Sequence, residues 1–150
     1  GRRDEALVVR ADSARTPLPR GAFRSVLLDA PCSGTGTLRK NPEIRWRLSP
    51  DELPALARAQ RALLEAALDL CAPGGSVVYV TCSMEPEENE AVVAAVLAGR
   101  RGAAVERPAA ASLPAPLLGA LRPDGFFRVP PGPSNDGFSA VVLRKGGESL

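Results

Sequence analysis

Cysteines follow two apolar, β-branched segments of this chain. Cys32 comes shortly after the run Val26 to Leu28, and Cys82 comes directly after the run Ser76 to Thr81. A thiolate is the reactive form of cysteine, and it can form and release a covalent bond to a substrate. Because each run is predicted to be a buried strand that ends in a cleft, the two thiols indicate covalent chemistry at one site.

Polar and basic groups surround the first of these thiols. Asp29 comes at the tip of the strand, and Gly34 and Gly36 then break the chain. A basic and aromatic segment follows, and it contains Arg39, Lys40, Arg45, Trp46 and Arg47. This segment is either a solvated face or a contact surface for a nucleic acid. Trp46 favours the second interpretation, because a base that stacks on an aromatic ring gains about 1–3 kcal/mol.

Apolar runs alternate with capped helical segments, a pattern that predicts an α/β fold with a parallel sheet. We expect parallel strands at Leu7 to Arg10, Val26 to Leu28 and Val77 to Val80. We expect Phe138 to Leu143 to run antiparallel to them and to pair with Phe126 to Val129. Ala103 to Glu106 is a further short strand.

Two helices are predicted between these strands. The first begins at a capping box formed by Ser49 and Glu52 and stops at Ala72 to Gly75, which places Cys71 in the core. The second begins in the acidic run Glu85 to Glu90, which we interpret as a simple helix start, and ends at Gly99.

Composition limits the classes of function. The 150 residues are 45% hydrophobic and carry a net charge of +2, as expected for one globular domain with no strong preference for polyanions. No apolar run approaches the ~20 residues that span a bilayer, and Gly1 does not begin a signal peptide, so we expect a cytoplasmic protein. Three cysteines, no histidine and no CxxC pair argue against a disulfide framework, a metal site and a thiol redox protein.

Four motifs together resemble one known family. They are DAPCSGTG at Asp29 to Gly36, NPEIRW at Asn41 to Trp46, APGGSVVYVTCSMEPEENE at Ala72 to Glu90, and DGFSAVVLRK at Asp136 to Lys145. In these motifs the chain is similar to the Sun/RsmB-type RNA cytosine-5 methyltransferases. The resemblance implies a Rossmann-like methyltransferase fold, S-adenosylmethionine as cofactor and RNA, expected to be ribosomal RNA, as substrate.

The resemblance also implies roles for individual residues. Cys82 matches the family's nucleophile, and Cys32 matches a second cysteine that assists product release. Asp29 matches a residue at the cytosine and the cofactor, Asp12 an acid near the adenine ring, and Pro31 a residue at the substrate. From the residues alone, either thiol is a candidate nucleophile.

Part of the family's pattern is not found in the sequence. The glycine-rich cofactor loop and the first two strands are expected to precede Gly1, so the chain is interpreted as one domain, the carboxyl-terminal portion of a methyltransferase catalytic domain. We therefore expect weak cofactor binding by this chain, and an exposed edge at Val26 to Leu28 that self-associates or binds a partner chain. The alternative function is a catalytically silent module that contacts RNA.

Overall fold

The computed structural model describes residues 8–49 and 51–147. The strands are β1 (Phe23–Asp29), β2 (Cys71–Thr81), β3 (Ala103–Glu106), β4 (Phe127–Val129) and β5 (Phe138–Lys145). The α-helices are α1 (Ile44–Arg47), α2 (Glu52–Leu70), α3 (Glu90–Gly99) and α4 (Ala115–Leu118). Short 3-10 turns lie at Ser13–Arg15, Thr35–Thr37, Pro86–Glu88 and Ala110–Ser112.

The strands form one mixed sheet in the order β1-β2-β5-β3, and β4 pairs with the first part of β5. β1 is parallel to β2, whereas β3, β4 and β5 form antiparallel pairs. The prediction of parallel central strands with an antiparallel closing strand is therefore confirmed. In the β1–β2 register Asp29 lies opposite Val80, so both strands end at the same edge of the sheet.

One core fills the space between the sheet and the two long helices. Val77 and Tyr79 of β2 are buried and alternate with Val78 and Val80, which are half-buried, as expected when one sheet face is covered more completely than the other. Leu64 and Leu68 of α2 belong to this core. Val92, Val93 and Val96 of α3 complete it.

The first long helix begins almost as predicted. The Ser49 amide donates to Glu52 Oε2 at 2.8 Å, which is half of the predicted capping box. α2 then continues through Pro54, because a proline in the first turn removes only an amide that has no helical partner.

The end of that helix differs from the prediction. α2 ends at Leu70 and β2 begins at once, so residues Ala72 to Gly75 lie within β2, at an irregularity where the pairing with β1 skips from Cys71 to Ser76. Gly75 explains the difference, because a Cβ there would lie 2.7 Å from the Arg24 carbonyl oxygen and 2.8 Å from Cys71 Sγ. The glycine therefore lets β2 approach β1 closely. Cys71 is buried, as expected.

The predicted first strand is wrong for Val8 to Arg10; Leu7 lies outside the described residues. This segment has no regular structure, and the side chain of Val8 is 92% exposed. The segment does not pair with any strand of the described sheet, in which β2 is the one neighbour of β1. β3 and β4 form where short strands were expected, and none of the described helices is long and apolar enough to cross a membrane.

Candidate active site

Two loops at the carboxyl ends of β1 and β2 bring the thiols together. We call residues 30–37 the first cysteine loop and residues 82–85 the second cysteine loop. The Ala30 amide donates to the Val80 carbonyl and the Gly36 amide donates to the Cys82 carbonyl, both at 2.9 Å. Cys32 Sγ and Cys82 Sγ lie 3.4 Å apart, within the range of a hydrogen bond between sulfurs.

Gly36 allows the close approach of these loops. A Cβ at this position would lie 2.8 Å from the Cys82 carbonyl oxygen and 2.4 Å from the Gly137 carbonyl oxygen. The Gly137 amide also donates to the Gly36 carbonyl at 2.7 Å, so the start of the closing strand holds the first cysteine loop from the other side. Any side chain at residue 36 would push the loops apart.

A buried glutamate that the sequence analysis missed lies beneath both loops. Glu88 Oε2 accepts hydrogen bonds from the hydroxyls of Ser33 and Ser83, each at 2.5 Å. Its Oε1 accepts from the Ser33 amide at 2.9 Å and from Gln60 Nε2 at 2.8 Å. The residue that follows each cysteine is therefore bonded to the same carboxylate.

A sequence signal for Glu88 exists. It lies four residues before Val92 and eight before Val96, on the face of the helical segment that is buried against the sheet. The acidic run was interpreted as a simple helix start, but the residues from Pro86 to Glu88 form a 3-10 turn and α3 begins only at Glu90. A charged residue in register with an apolar face indicates a buried, bonded carboxylate.

The pKa of the Cys32 thiol lies above that of a free cysteine. Burial first, and the hydrogen bond with Cys82 second, raise the pKa of the Cys32 thiol from 9.0 to about 12. Cys32 therefore keeps its proton at neutral pH. Burial also raises the pKa of Cys71, which lies in the core at the opposite end of β2. Across residues 8–49 and 51–147, no group of three or more His, Cys, Asp or Glu side chains is arranged to hold a metal ion.

The two predicted acidic residues lie on different elements. Asp29 ends β1 with an exposed side chain, at the same edge of the sheet as the cysteine loops. Asp12 caps the 3-10 turn Ser13–Arg15, where its carboxylate accepts from the Ala14 amide at 3.0 Å. Pro31 is exposed, and its carbonyl accepts from Gln60 Nε2 at 2.9 Å.

The basic segment divides into two parts. Arg39 and Lys40 form ion pairs with Asp136 at 3.7 Å and 2.6 Å, so part of their charge is neutralised within the chain. Arg45, Trp46 and Arg47 form α1 with exposed side chains, and Trp46 is 81% exposed. An aromatic ring this exposed, with an arginine on either side of it in the sequence, is a surface on which a base can stack.

A cavity of about 500 Å³ opens beside the first cysteine loop. Cys32 and Ser33 line one side, and Arg47, Leu48 and Leu56 are among the residues that line the others. The mixture of apolar walls and a few polar groups is typical of a site for a small ring system. The cavity therefore connects the Cys32 thiol with the exposed helix α1.

Known proteins share both the sequence and the fold of this chain. The ribosomal RNA small subunit methyltransferase B of Thermus thermophilus is 41% identical over 136 residues, a match that covers 91% of this chain and 32% of that protein. The ribosomal RNA small subunit methyltransferase F of Serratia proteamaculans is 38% identical over 125 residues, covering 83% of this chain and 26% of that protein. The chain thus spans less than a third of either curated relative.

A solved structure gives the same result for the fold. The crystal structure of NSun6 from Pyrococcus horikoshii with SFG, an analogue of S-adenosylmethionine, superposes with a TM-score of 0.68 at 29% identity. That match covers 91% of this chain and 34% of the solved chain. The mixed sheet is therefore that of the Rossmann-like methyltransferases. The model of the family described as 16S rRNA methyltransferase RsmB/F matches residues 2–143. This chain belongs to the RsmB/F family of 16S rRNA methyltransferases.

Proposed function

We propose that this chain carries the cysteine pair of an S-adenosylmethionine-dependent methyltransferase that modifies carbon 5 of a cytosine in ribosomal RNA. The observation that supports this most strongly is the 3.4 Å separation of Cys32 Sγ and Cys82 Sγ beside a cavity of about 500 Å³. Two sulfurs at this distance can act in turn on the same base.

The first cysteine to react is Cys82. Its thiolate adds to carbon 6 of cytosine and forms a carbon–sulfur bond, which places an electron pair at carbon 5. Carbon 5 is then nucleophilic enough to accept the methyl group that the cofactor would supply. The raised pKa of Cys32 supports this assignment, because a thiol that burial keeps protonated is a poorer nucleophile at neutral pH than a free cysteine.

Cys32 acts when the product is released. The proton on carbon 5 leaves to solvent, the double bond between carbons 5 and 6 forms again, and the Cys82 sulfur is expelled with its electron pair. Because Cys32 is still protonated, its S–H can donate a hydrogen bond to the departing sulfur. That bond stabilises the negative charge that develops on Cys82 as the carbon–sulfur bond breaks.

Asp29 and Asp12 would hold the cofactor. Both carboxylates are exposed, and an ionised carboxylate accepts hydrogen bonds from amino and hydroxyl groups such as those of S-adenosylmethionine. When bound, S-adenosylmethionine supplies an electrophilic methyl group. Asp29, at the edge shared with the cysteine loops, would also bond to the cytosine ring and stabilise the charge that addition of the thiolate produces.

The RNA contacts are proposed on α1 and the cavity next to it. Trp46 stacks on a base, and Arg45 and Arg47 bind backbone phosphates. Pro31 lies beside Cys32 at the substrate, and Arg39 and Lys40 contribute less charge because both pair with Asp136. We expect a protein that acts on ribosomal RNA to be cytoplasmic.

The test is methyl transfer to 16S rRNA by a protein that contains this chain together with a glycine-rich cofactor loop. We expect 5-methylcytidine in the RNA, identified by nucleoside mass spectrometry, and loss of that product in the Cys82→Ala variant. RNA binding without any methylated nucleoside would support the silent RNA-contacting module instead. For this chain by itself, calorimetry should show weak or no binding of S-adenosylmethionine.

The free edge of β1 gives a further proposal. β1 is the outermost strand on its side of the described sheet, and its Leu27 side chain is 72% exposed. Such an edge pairs with a second copy or a partner chain. Sedimentation should show association that Leu27→Lys reduces, and a concentration-independent monomer would contradict the proposal.

A further inference from the structure

A buried charge that the proposed reaction does not use connects the two cysteine loops. Glu88 is fully buried and belongs to neither loop. Its carboxylate accepts from Ser33, which follows Cys32, and from Ser83, which follows Cys82. A charge is expensive to bury unless hydrogen bonds replace its water, and here four donors do so.

The glutamate is itself held in place from two directions. Gln60 of α2 donates to Glu88 Oε1 at 2.8 Å and to the Pro31 carbonyl at 2.9 Å. The Tyr79 hydroxyl of β2 donates to the backbone carbonyl of Glu88 at 2.6 Å. The carboxylate is therefore fixed relative to both the long helix and the central strand.

Glu88 acts on the part of the first cysteine loop that carries the thiol. The bonds from Ala30 to Val80 and from Gly36 to Cys82 hold the two ends of that loop. Between those ends, both the amide and the hydroxyl of Ser33 bond to the Glu88 carboxylate. Without the carboxylate, the ends of the loop stay paired while its middle loses two hydrogen bonds.

We propose that Glu88 is a positioning residue that fixes the Cys32 thiol relative to the Cys82 thiol through Ser33 and Ser83. The inference rests on the proposed function, in which both sulfurs act on one base. Glu88 touches neither the substrate nor the reacting atoms. Its contribution is to bind Ser33 of the first cysteine loop and Ser83 of the second to the same carboxylate.

The experiment measures the distance between the thiols without RNA or cofactor. Dibromobimane becomes fluorescent when two neighbouring thiols each lose a proton and displace one bromide, so the rate of fluorescence reports how well Cys32 and Cys82 are aligned. We expect Glu88→Ala to slow cross-linking by about tenfold, the factor that corresponds to ~1.4 kcal/mol. Glu87→Ala is the matched control, because Glu87 is the exposed neighbour and should leave the rate unchanged.

Alkylation of the buried Cys71, followed by mass spectrometry, separates positioning from general stability. Slow cross-linking with Cys71 still protected supports the proposal, and cross-linking at the unaltered rate overturns it. If Glu88→Ala exposes Cys71, Glu88→Gln decides, because it keeps the length of the side chain but replaces one acceptor by a donor. Glu88→Gln should cross-link more slowly with Cys71 protected, and an unchanged rate would overturn the proposal. Because no methyl transfer is measured, this result is independent of whether the proposed activity is correct.

Discussion

The strand β2 has a cysteine at each end, and the two ends differ in almost every other respect. Cys71 is its first residue, is fully buried, and donates only to the neighbouring Ala72 carbonyl at 3.6 Å. Cys82 follows its last residue, is half-buried, and lies 3.4 Å from a second sulfur. The same side chain is therefore core at one end and a candidate nucleophile at the other.

The polar scaffold explains the difference. At the carboxyl end, Thr81 donates to Asn89, and Ser83 donates to Glu88, so buried polar groups replace apolar packing. At the amino end, Lys145 Nζ donates to the Cys71 carbonyl at 2.7 Å, and core residues surround the sulfur. The loops that follow β1 and β2 meet at the carboxyl ends of these parallel strands, where ligands of open α/β sheets bind, and the second thiol lies at that end.

The largest effect is expected in the methyl-transfer assay, when the cysteine at either end of β2 is replaced by alanine in turn. Cys82→Ala should lower the rate by a factor on the order of 10⁴ to 10⁶, as removal of a nucleophile does. Cys71→Ala should keep the rate and lower only the free energy of unfolding, by about 1–2 kcal/mol. A Cys82→Ala variant with most of its activity would remove the distinction between the two ends.

A smaller effect is expected in the pH dependence of thiol alkylation. The pKa of Cys32 is about 12 rather than 9.0, so its thiolate fraction at neutral pH is lower by about 10³-fold. The greater nucleophilicity of a more basic thiolate recovers part of this loss, which leaves alkylation roughly 10–10² times slower than for a free cysteine.

The raised pKa of Cys32 determines how its alkylation rate changes with pH. Because the pKa is raised, the rate for Cys32 should keep increasing from pH 9 towards pH 12 instead of levelling off near pH 9. Peptide-specific mass spectrometry after brief exposure to iodoacetamide measures it. A plateau near pH 9 would show that the Cys32 thiol is not buried as described.

The smallest effect concerns the glycine that lets the cysteine loops approach. Gly36→Ala would place a Cβ 2.4 Å from the Gly137 carbonyl oxygen, and overpacking of this kind costs about 1–3 kcal/mol of unfolding free energy. Gly99→Ala is the control, because nothing lies within 4 Å of its Cβ and it is the last residue of α3. Urea denaturation should show the difference, and equal stabilities would mean that the loops yield without cost.

The strands and the placement of the three cysteines could be predicted from the sequence. The β-branched runs predict β1, β2 and β5 because a strand buried on a sheet face favours such residues, and helical spacing places Cys71 in the core. The pairing of the thiols followed from placing both loops at carboxyl ends of parallel strands. These predictions depend on local pattern and on one topological rule.

The remaining features depend on distant contacts. The spacing of Glu88 from Val92 and Val96 indicates its burial, but its partners Ser33 and Gln60 lie 55 and 28 residues away in the chain, and no local pattern identifies them. Residues Ala72 to Gly75 contain three strong turn formers, yet they stay within β2 as an irregular segment, because β2 pairs with β1 on either side of them. Val8 to Arg10 has a strand-like composition but pairs with no strand of the described sheet.

The most direct test of the account is a search for the covalent intermediate. In a protein that contains this chain and a complete cofactor site, Cys32→Ala should accumulate a protein–RNA adduct that survives a denaturing gel, because Cys82 forms the bond and Cys32 assists its cleavage. Peptide mapping should place the RNA on Cys82, and the Cys32→Ala/Cys82→Ala double variant should show no adduct. An adduct that maps to Cys32 in the Cys82→Ala variant, or no adduct in Cys32→Ala while Cys82→Ala stays active, would contradict the account.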